Sequence, residues 1–173
     1  RQIVRQQYTI AARPRQAVAR PGLSCRPSFG QGFVVLRRQP AHMREELIGQ
    51  TLTDKRVMVT GAGGSIGREL CRQITRWQPS HLILLGHGEN SIFETLLELQ
   101  ENSPGLSLTP VIADVRDYQR IHNIFSLQKP DIVFHAAAHK HVPLMEMNVD
   151  EAIDNNVRGT RNVVRACEEN NIE

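Results

Sequence analysis

A chain of 173 residues that is 40% apolar has the material for one buried core, and no apolar run approaches the about 18 residues a membrane-crossing helix requires. The formal net charge of +3 conceals an asymmetry: residues 1–50 hold nine Arg, no Lys and two acids, whereas residues 51–173 hold 12 basic and 16 acidic side chains. Three cysteines, Cys25, Cys71 and Cys167, have neither a close pair nor metal-ligand spacing. That count argues against a disulfide framework or a zinc site and fits a reducing, cytoplasmic setting. The first residue is Arg rather than Met, so a cut or incomplete chain is expected.

Residues 1–45 lack sustained helical or strand periodicity. Arg, Gln, Pro and Gly recur in irregular order, as in Arg13-Pro14-Arg15 and Arg20-Pro21-Gly22, and only Gly32-Phe33-Val34-Val35-Leu36 resembles a strand. The segment reads either as a basic arm for nucleic acid or an acidic membrane surface, or as a flexible leader. No aromatic interleaving and no amphipathic face supports an arm, so a leader over residues 1–50 and no nucleic-acid partner are expected.

From residue 55 the pattern changes. A strand at Arg56–Thr60 runs into Gly61-Ala62-Gly63-Gly64-Ser65-Ile66-Gly67, and a helical pattern follows over about 65–77. Gly61, Gly64 and Gly67 fall three apart, where a tight turn, close backbone approach to a diphosphate, and helix-on-strand packing each exclude a side chain. Ser65 and Ile66 open the helix, whose free N–H groups and positive dipole end suit an anion. The next strand, His81–Leu85, ends at Gly86-His87-Gly88-Glu89, and a helix is expected over about 90–101. A dinucleotide fold commonly places an acid there to hold the adenosine ribose. Gly86 takes that place instead, which removes a charge that would repel a 2′-phosphate, and His87 or a nearby Arg is the candidate contact for one. The alternative for His87 is a loop histidine without a role; Glu89 reaches a ribose only if its loop folds back.

A third strand over Ser107–Ile112 leads into Ala113-Asp114-Val115-Arg116-Asp117 and a helix over about 117–127. Asp114 is a candidate acceptor for an adenine amino group with Val115 covering the ring, and Asp117 reads as the cap of the helix. The fourth strand, Asp131–His135, passes into Ala136, Ala137 and Ala138, small residues that let a ligand approach the backbone. Beyond them His139, Lys140 and His141 form a basic cluster without a third metal ligand. Lys140 is the candidate contact there, and a solvated turn is the alternative for the histidines. A long helix is expected over about 149–170. In it a buried Asn of the Asn155-Asn156 pair could tie the helix to the fourth strand, and Gly159 permits close packing at a cost of up to about 1 kcal/mol against Ala. Leu96, Leu99, Val163 and Val164 read as core. Strand and helix in alternation predict a Rossmann-type α/β fold: a doubly wound parallel sheet, incomplete at about four strands, with right-handed crossovers and its ligand at the carboxyl ends of the strands.

The strings LILLGHGENSIFE, VIADVRD, VFHAAAHKHVPLME and NNVRGTRNVVRAC, with the glycine turn, resemble CapD-type polysaccharide-biosynthesis proteins of the extended short-chain dehydrogenase/reductase superfamily over roughly residues 51–173. The resemblance implies an NAD(P)-binding domain of a nucleotide-sugar 4,6-dehydratase or epimerase, acting on a substrate such as UDP-N-acetylglucosamine. NADP or NAD would be tightly held. Gly61, Gly64, Ser65, Ile66 and Gly67 would lie on the diphosphate, Asp114 and Val115 on the adenine, and Ala136–Ala138 with Lys140 on the ribose and nicotinamide side. The family's catalytic Ser/Thr, Asp-Lys pair and downstream Lys are expected beyond Glu173. Turnover by residues 1–173 alone is therefore not expected, and a noncatalytic dinucleotide-binding or scaffolding module is the alternative. A homo-oligomer is implied for the complete enzyme, with membrane association only through segments that residues 1–173 do not contain.

Overall fold

The computed structural model of the protein describes residues 45–172, which form one compact unit. The expected strand at 32–36 and the leader over residues 1–44 lie outside the described residues. Among the described residues four strands, β1 (Arg56–Thr60), β2 (His81–Gly86), β3 (Leu108–Ile112) and β4 (Ile132–His135), form an all-parallel sheet in the order β3-β2-β1-β4. Chain order reverses between β2 and β4, which flank β1 on opposite sides, so the switch point lies at the carboxyl end of β1.

The central strands explain the two-faced core. Val57, Val59, Leu82 and Leu84 point to one face and Met58, Ile83 and Leu85 to the other, all fully buried. On the first face lie helices α1 (Glu45–Leu52), α2 (Ser65–Thr75) and α3 (Glu89–Asn102), contributing Leu52, Cys71, Ile74, Ile92 and Leu99. On the second, α4 (Tyr118–Gln128) and α7 (Thr160–Glu169) contribute Ile121, Phe125, Val163 and Ala166. Each fully buried Leu, Ile, Val or Phe among them is worth about 1.5–3 kcal/mol of burial. Pro110 sits in β3, where its missing N–H is tolerated because β3 is an edge strand. Among the described residues no helix is long and apolar enough to cross a membrane.

Three expectations need correction. Residues 45–50, assigned to the leader, are helical: α1 packs Ile48 and Leu52 onto the first core face, and Trp77 contacts Gly49, so the folded unit starts before residue 51. After the His139–His141 cluster, where the sequence pattern assigned no element, the chain forms a short helix, α5 (Val142–Met147), with Pro143 in its first turn, where a missing N–H costs nothing. The long helix is not uniform. It comprises α6 (Val149–Ala152), a π-helical segment (Ile153–Gly159) and α7, with helical backbone angles carried through both junctions. Val164, expected in the core, is half exposed, because the inward stripe of α7 runs through Val163 and Ala166.

Removing the Leu52 side chain tests whether α1 belongs to the folded unit. Leu52→Ala is expected to lose about 2 kcal/mol or more, read as a lower denaturant midpoint at unchanged slope. An unchanged midpoint would place α1 outside the cooperative unit.

Candidate functional site

The glycine turn is shaped by what a side chain would strike. Gly61 has φ +69°, and a Cβ there would come within 2.7 Å of the Ala136 carbonyl group. A Cβ on Gly67 would collide with the Gly61 carbonyl oxygen. The first turn of α2 is thereby pressed against the end of β1 and the start of the Ala136–Ala138 stretch. The turn closes on itself through Gly64 N–H donating to the Gly61 carbonyl at 2.9 Å, and Ala62 N–H donates to the Leu85 carbonyl at 3.1 Å, joining it to β2. Gly64 is the N-cap of α2, and among the described residues no side chain caps the helix, which leaves its first-turn N–H groups open to an anion.

A cleft of about 210 Å³ opens at this end of the sheet. It is lined by Gly61, Gly63 and Gly64 of the turn, by Gly86, His87, Gly88 and Ser91 after β2, by Ala113 and Val115 after β3, and by Ala136–Ala138, His139 and Asn155. Of the residues singled out in the sequence, Gly61, Gly64, His87, Val115 and the three alanines line it. Gly67 is buried beneath the turn, Ile66 is 56% exposed, and Lys140 reaches the turn from the other side, donating to Ser65 Oγ at 2.8 Å. Glu89 opens α3 and does not line the cleft.

Asp114 is differently engaged from the expectation. The Arg116 guanidinium forks onto both of its carboxylate oxygens, Nε to Oδ1 at 3.0 Å and Nη2 to Oδ2 at 2.5 Å, and the Arg116 N–H donates to Oδ1 at 2.9 Å. Arg116 also pairs with Glu151 at 3.0 Å. These bonds hold the Asp114 carboxyl below its ordinary range, the Arg116 side chain being the largest cause. The acid is thus charged and committed to Arg116, with Val115, 4% exposed, beneath the cleft floor. Asp117 caps α4 as expected, accepting from Arg120 N–H at 3.1 Å.

The π-helical segment presents two asparagines to the stretch after β4. Asn155 donates to the Ala137 carbonyl at 3.0 Å, and Asn156 pairs with both backbone groups of His139, accepting at 2.8 Å and donating at 3.0 Å. Gly159 packs so tightly that an added Cβ would lie 2.8 Å from Val115 Cγ2. The close approach at Gly159 is as read from the sequence, whereas the expected tie to the fourth strand is made instead to the stretch that follows β4, at Ala137 and His139. Three contributors were missed. Ser91 lines the cleft and blocks side chains at Gly63 and Gly88. Buried Asn162 donates to the carbonyls of Val115 and Arg116, both at 3.0 Å. His135, read only as strand, stands between Thr60 and Thr160 hydroxyls at 2.7 and 3.0 Å. An isolated Ser or Asn in a helical pattern carries no signal of such contacts, whereas a histidine amid Val133, Phe134 and Ala136 is a polar group in an apolar run and could have been flagged.

Residues 57–173 match the model of a family described as polysaccharide biosynthesis protein. The capsular polysaccharide biosynthesis protein CapD of Staphylococcus aureus is 49% identical over 139 residues, 80% of this chain and 23% of CapD. A UDP-N-acetylglucosamine 4,6-dehydratase (inverting) of Campylobacter jejuni is 33% identical over 120 residues, 69% of this chain and 34% of the dehydratase. The structure of Pen from Bacillus thuringiensis superposes with a TM-score of 0.64 at 29% identity, over 70% of this chain and 36% of Pen. The chain therefore spans about a quarter to a third of the length of these relatives.

Two outcomes follow from the buried polar groups. Asn162→Ala leaves the Val115 and Arg116 carbonyls without that donor and is expected to cost about 1–3 kcal/mol, measured by denaturant unfolding. Burial holds His135 below its ordinary value of 6.5. On acidification the unfolded chain takes that proton first, so the stabilising contribution is complete above about pH 6.5 and is lost as pH falls through the lower folded-state value. Thermal melts between about pH 5 and 7.5 should show this loss in the wild type and a smaller one in His135→Gln; parallel curves would contradict it.

Proposed function

The chain belongs to the polysaccharide biosynthesis protein family, and from that premise we propose that it is the cofactor-binding portion of a nucleotide-sugar 4,6-dehydratase. The observation that carries this reading is the uncapped start of α2, reached through a turn whose Gly61 and Gly63 leave no room for a Cβ, and faced across the cleft by Ala136–Ala138. Positions where any Cβ would collide, next to free N–H groups, fit the diphosphate of a dinucleotide. Gly61, Gly64, Ser65, Ile66 and Gly67 would hold that group, with Lys140 adding a positive charge beside Ser65. Val115 would cover the adenine. Asp114 would accept from its amino group with lone pairs left over from Arg116, since a carboxylate offers about four acceptor sites. Gly86 and His87 would border the adenosine ribose, and the lack of an acid at Gly86 favours NADP over NAD. Ala136–Ala138 would line the ribose and nicotinamide side.

When bound, the nicotinamide supplies a hydride acceptor and donor. The residues present here would bind it, orient it along the switch point of the sheet and keep its diphosphate off bulk water. The sugar site and the groups that move protons on the sugar would come from sequence beyond Glu173, so residues 1–173 alone would bind cofactor without turnover. Whether the complete protein dehydrates or epimerises its nucleotide sugar would be decided there. We place the complete protein in the cytoplasm or on the cytoplasmic side of a membrane, as a homo-oligomer.

Saturating NADP or NAD at about a hundred times Kd is expected to stabilise the protein by about 2.7 kcal/mol, read as a rise in thermal midpoint. No shift with either dinucleotide at millimolar concentration would sink the reading. His87→Ala should weaken NADP more than NAD; equal losses would remove the assignment of the 2′-phosphate contact.

A further inference from the structure

His135 occupies a position that burial alone does not explain. It is partly buried at the carboxyl end of β4, directly opposite Thr60 in the β1–β4 register. Each nitrogen meets a hydroxyl from a different element: Nδ1 lies 2.7 Å from Thr60 Oγ1 on β1, and Nε2 lies 3.0 Å from Thr160 Oγ1 at the start of α7. The proton positions follow from the partners. Thr160 has one hydroxyl proton and donates it to the Asn156 carbonyl at 2.6 Å, so its oxygen accepts from Nε2–H. A neutral imidazole protonated at Nε2 leaves a lone pair on Nδ1, which accepts the Thr60 hydroxyl proton. Every donor in the chain then has one acceptor.

The ends of this chain of bonds lie at the cleft. Thr60 immediately precedes Gly61, whose backbone touches Ala136, and His135 immediately precedes Ala136. Thr160 leads through Asn156 to the backbone of His139, itself a cleft residue. We propose that His135 is a positioning residue: by joining Thr60, the end of β4 and Thr160 it sets the spacing between the glycine turn and the Ala136–His139 wall, and so the fit of the dinucleotide between them. The second half of this statement rests on the cofactor reading above; the first half does not.

The test uses the full chain and the variants His135→Ala, His135→Gln and Thr160→Val, at a temperature where circular dichroism shows each to be folded. Glutamine keeps an N–H donor near the Nε2 position; alanine and Thr160→Val break the link to α7. Two readouts are taken. Hydrogen exchange is expected to rise at residues 61–67 and 136–139 in His135→Ala and Thr160→Val and to stay near wild type in His135→Gln, with β3 and α4 unchanged in all three. NADPH titration is expected to show affinity about tenfold or more weaker in the first two and mostly restored in glutamine. Unchanged exchange at both segments in the alanine and valine variants overturns the positioning role whatever NADPH does. The same exchange throughout β3 and α4 also overturns it, by showing general loosening. Wild-type protein that shows the expected exchange pattern in its variants but binds no NADPH overturns the cofactor reading and leaves the positioning role supported. If the alanine variant does not fold, Thr160→Val and His135→Gln carry the comparison alone.

Discussion

The contact on which the rest of the structure depends is the one between backbone and backbone at the glycine turn. With no Cβ at Gly61 or Gly67, the first turn of α2, the end of β1 and the start of the Ala136–Ala138 stretch meet at distances that any side chain would prevent. That approach places the free N–H groups of α2 at the mouth of a cleft at the switch point of the sheet. A helix N-terminus is a weak anion site in water and a useful one where neighbouring walls exclude solvent. Here the walls are the small residues after β2 and β4.

Such a contact needs its far side held. Alanines provide no side-chain grip, so the stretch after β4 is fixed through its backbone instead. Asn155 takes the Ala137 carbonyl and Asn156 takes both backbone groups of His139. The π-helical segment puts the two adjacent asparagines on this one task, and π-helical turns of this kind recur at functional sites. Gly159 and Asn162 then bring the same helix down onto Val115 and its carbonyl. The floor and the far wall of the cleft are thereby tied to one continuous helical stretch.

Much of this was legible in the sequence for a physical reason: periodicity and glycine spacing are local properties. β1 lies at the expected Arg56–Thr60, the other three strands within one residue at each end, and the parallel sheet follows from the alternation of elements. What was missed depends on contacts. α1 presents only Ile48 and Leu52 to the core, too few for a helical stripe to show, and α5 is shorter than two turns. The exposure of Val164 depends on helix rotation, and the contacts of Asn162 and of Ser91 with Gly63 depend on neighbours distant in sequence. The fork of Arg116 onto Asp114 is local, two residues apart, but is set by the loop conformation after β3 rather than by any periodicity. Gly61, Gly64, His87, Val115 and the alanines were picked out in the sequence and do surround one cleft, with Gly67 buried beneath it. Ser65 and Lys140 were read separately and meet across 75 residues.

The central claim is that the cleft at the glycine turn receives a dinucleotide through its diphosphate. A crystal structure of the protein grown with NADP tests it most directly. Density for the diphosphate against the N–H groups of Ser65 and Ile66, with the adenine over Val115, is the result predicted. Cofactor bound elsewhere, or crystals saturated with NADP in which the turn stays empty, would contradict it.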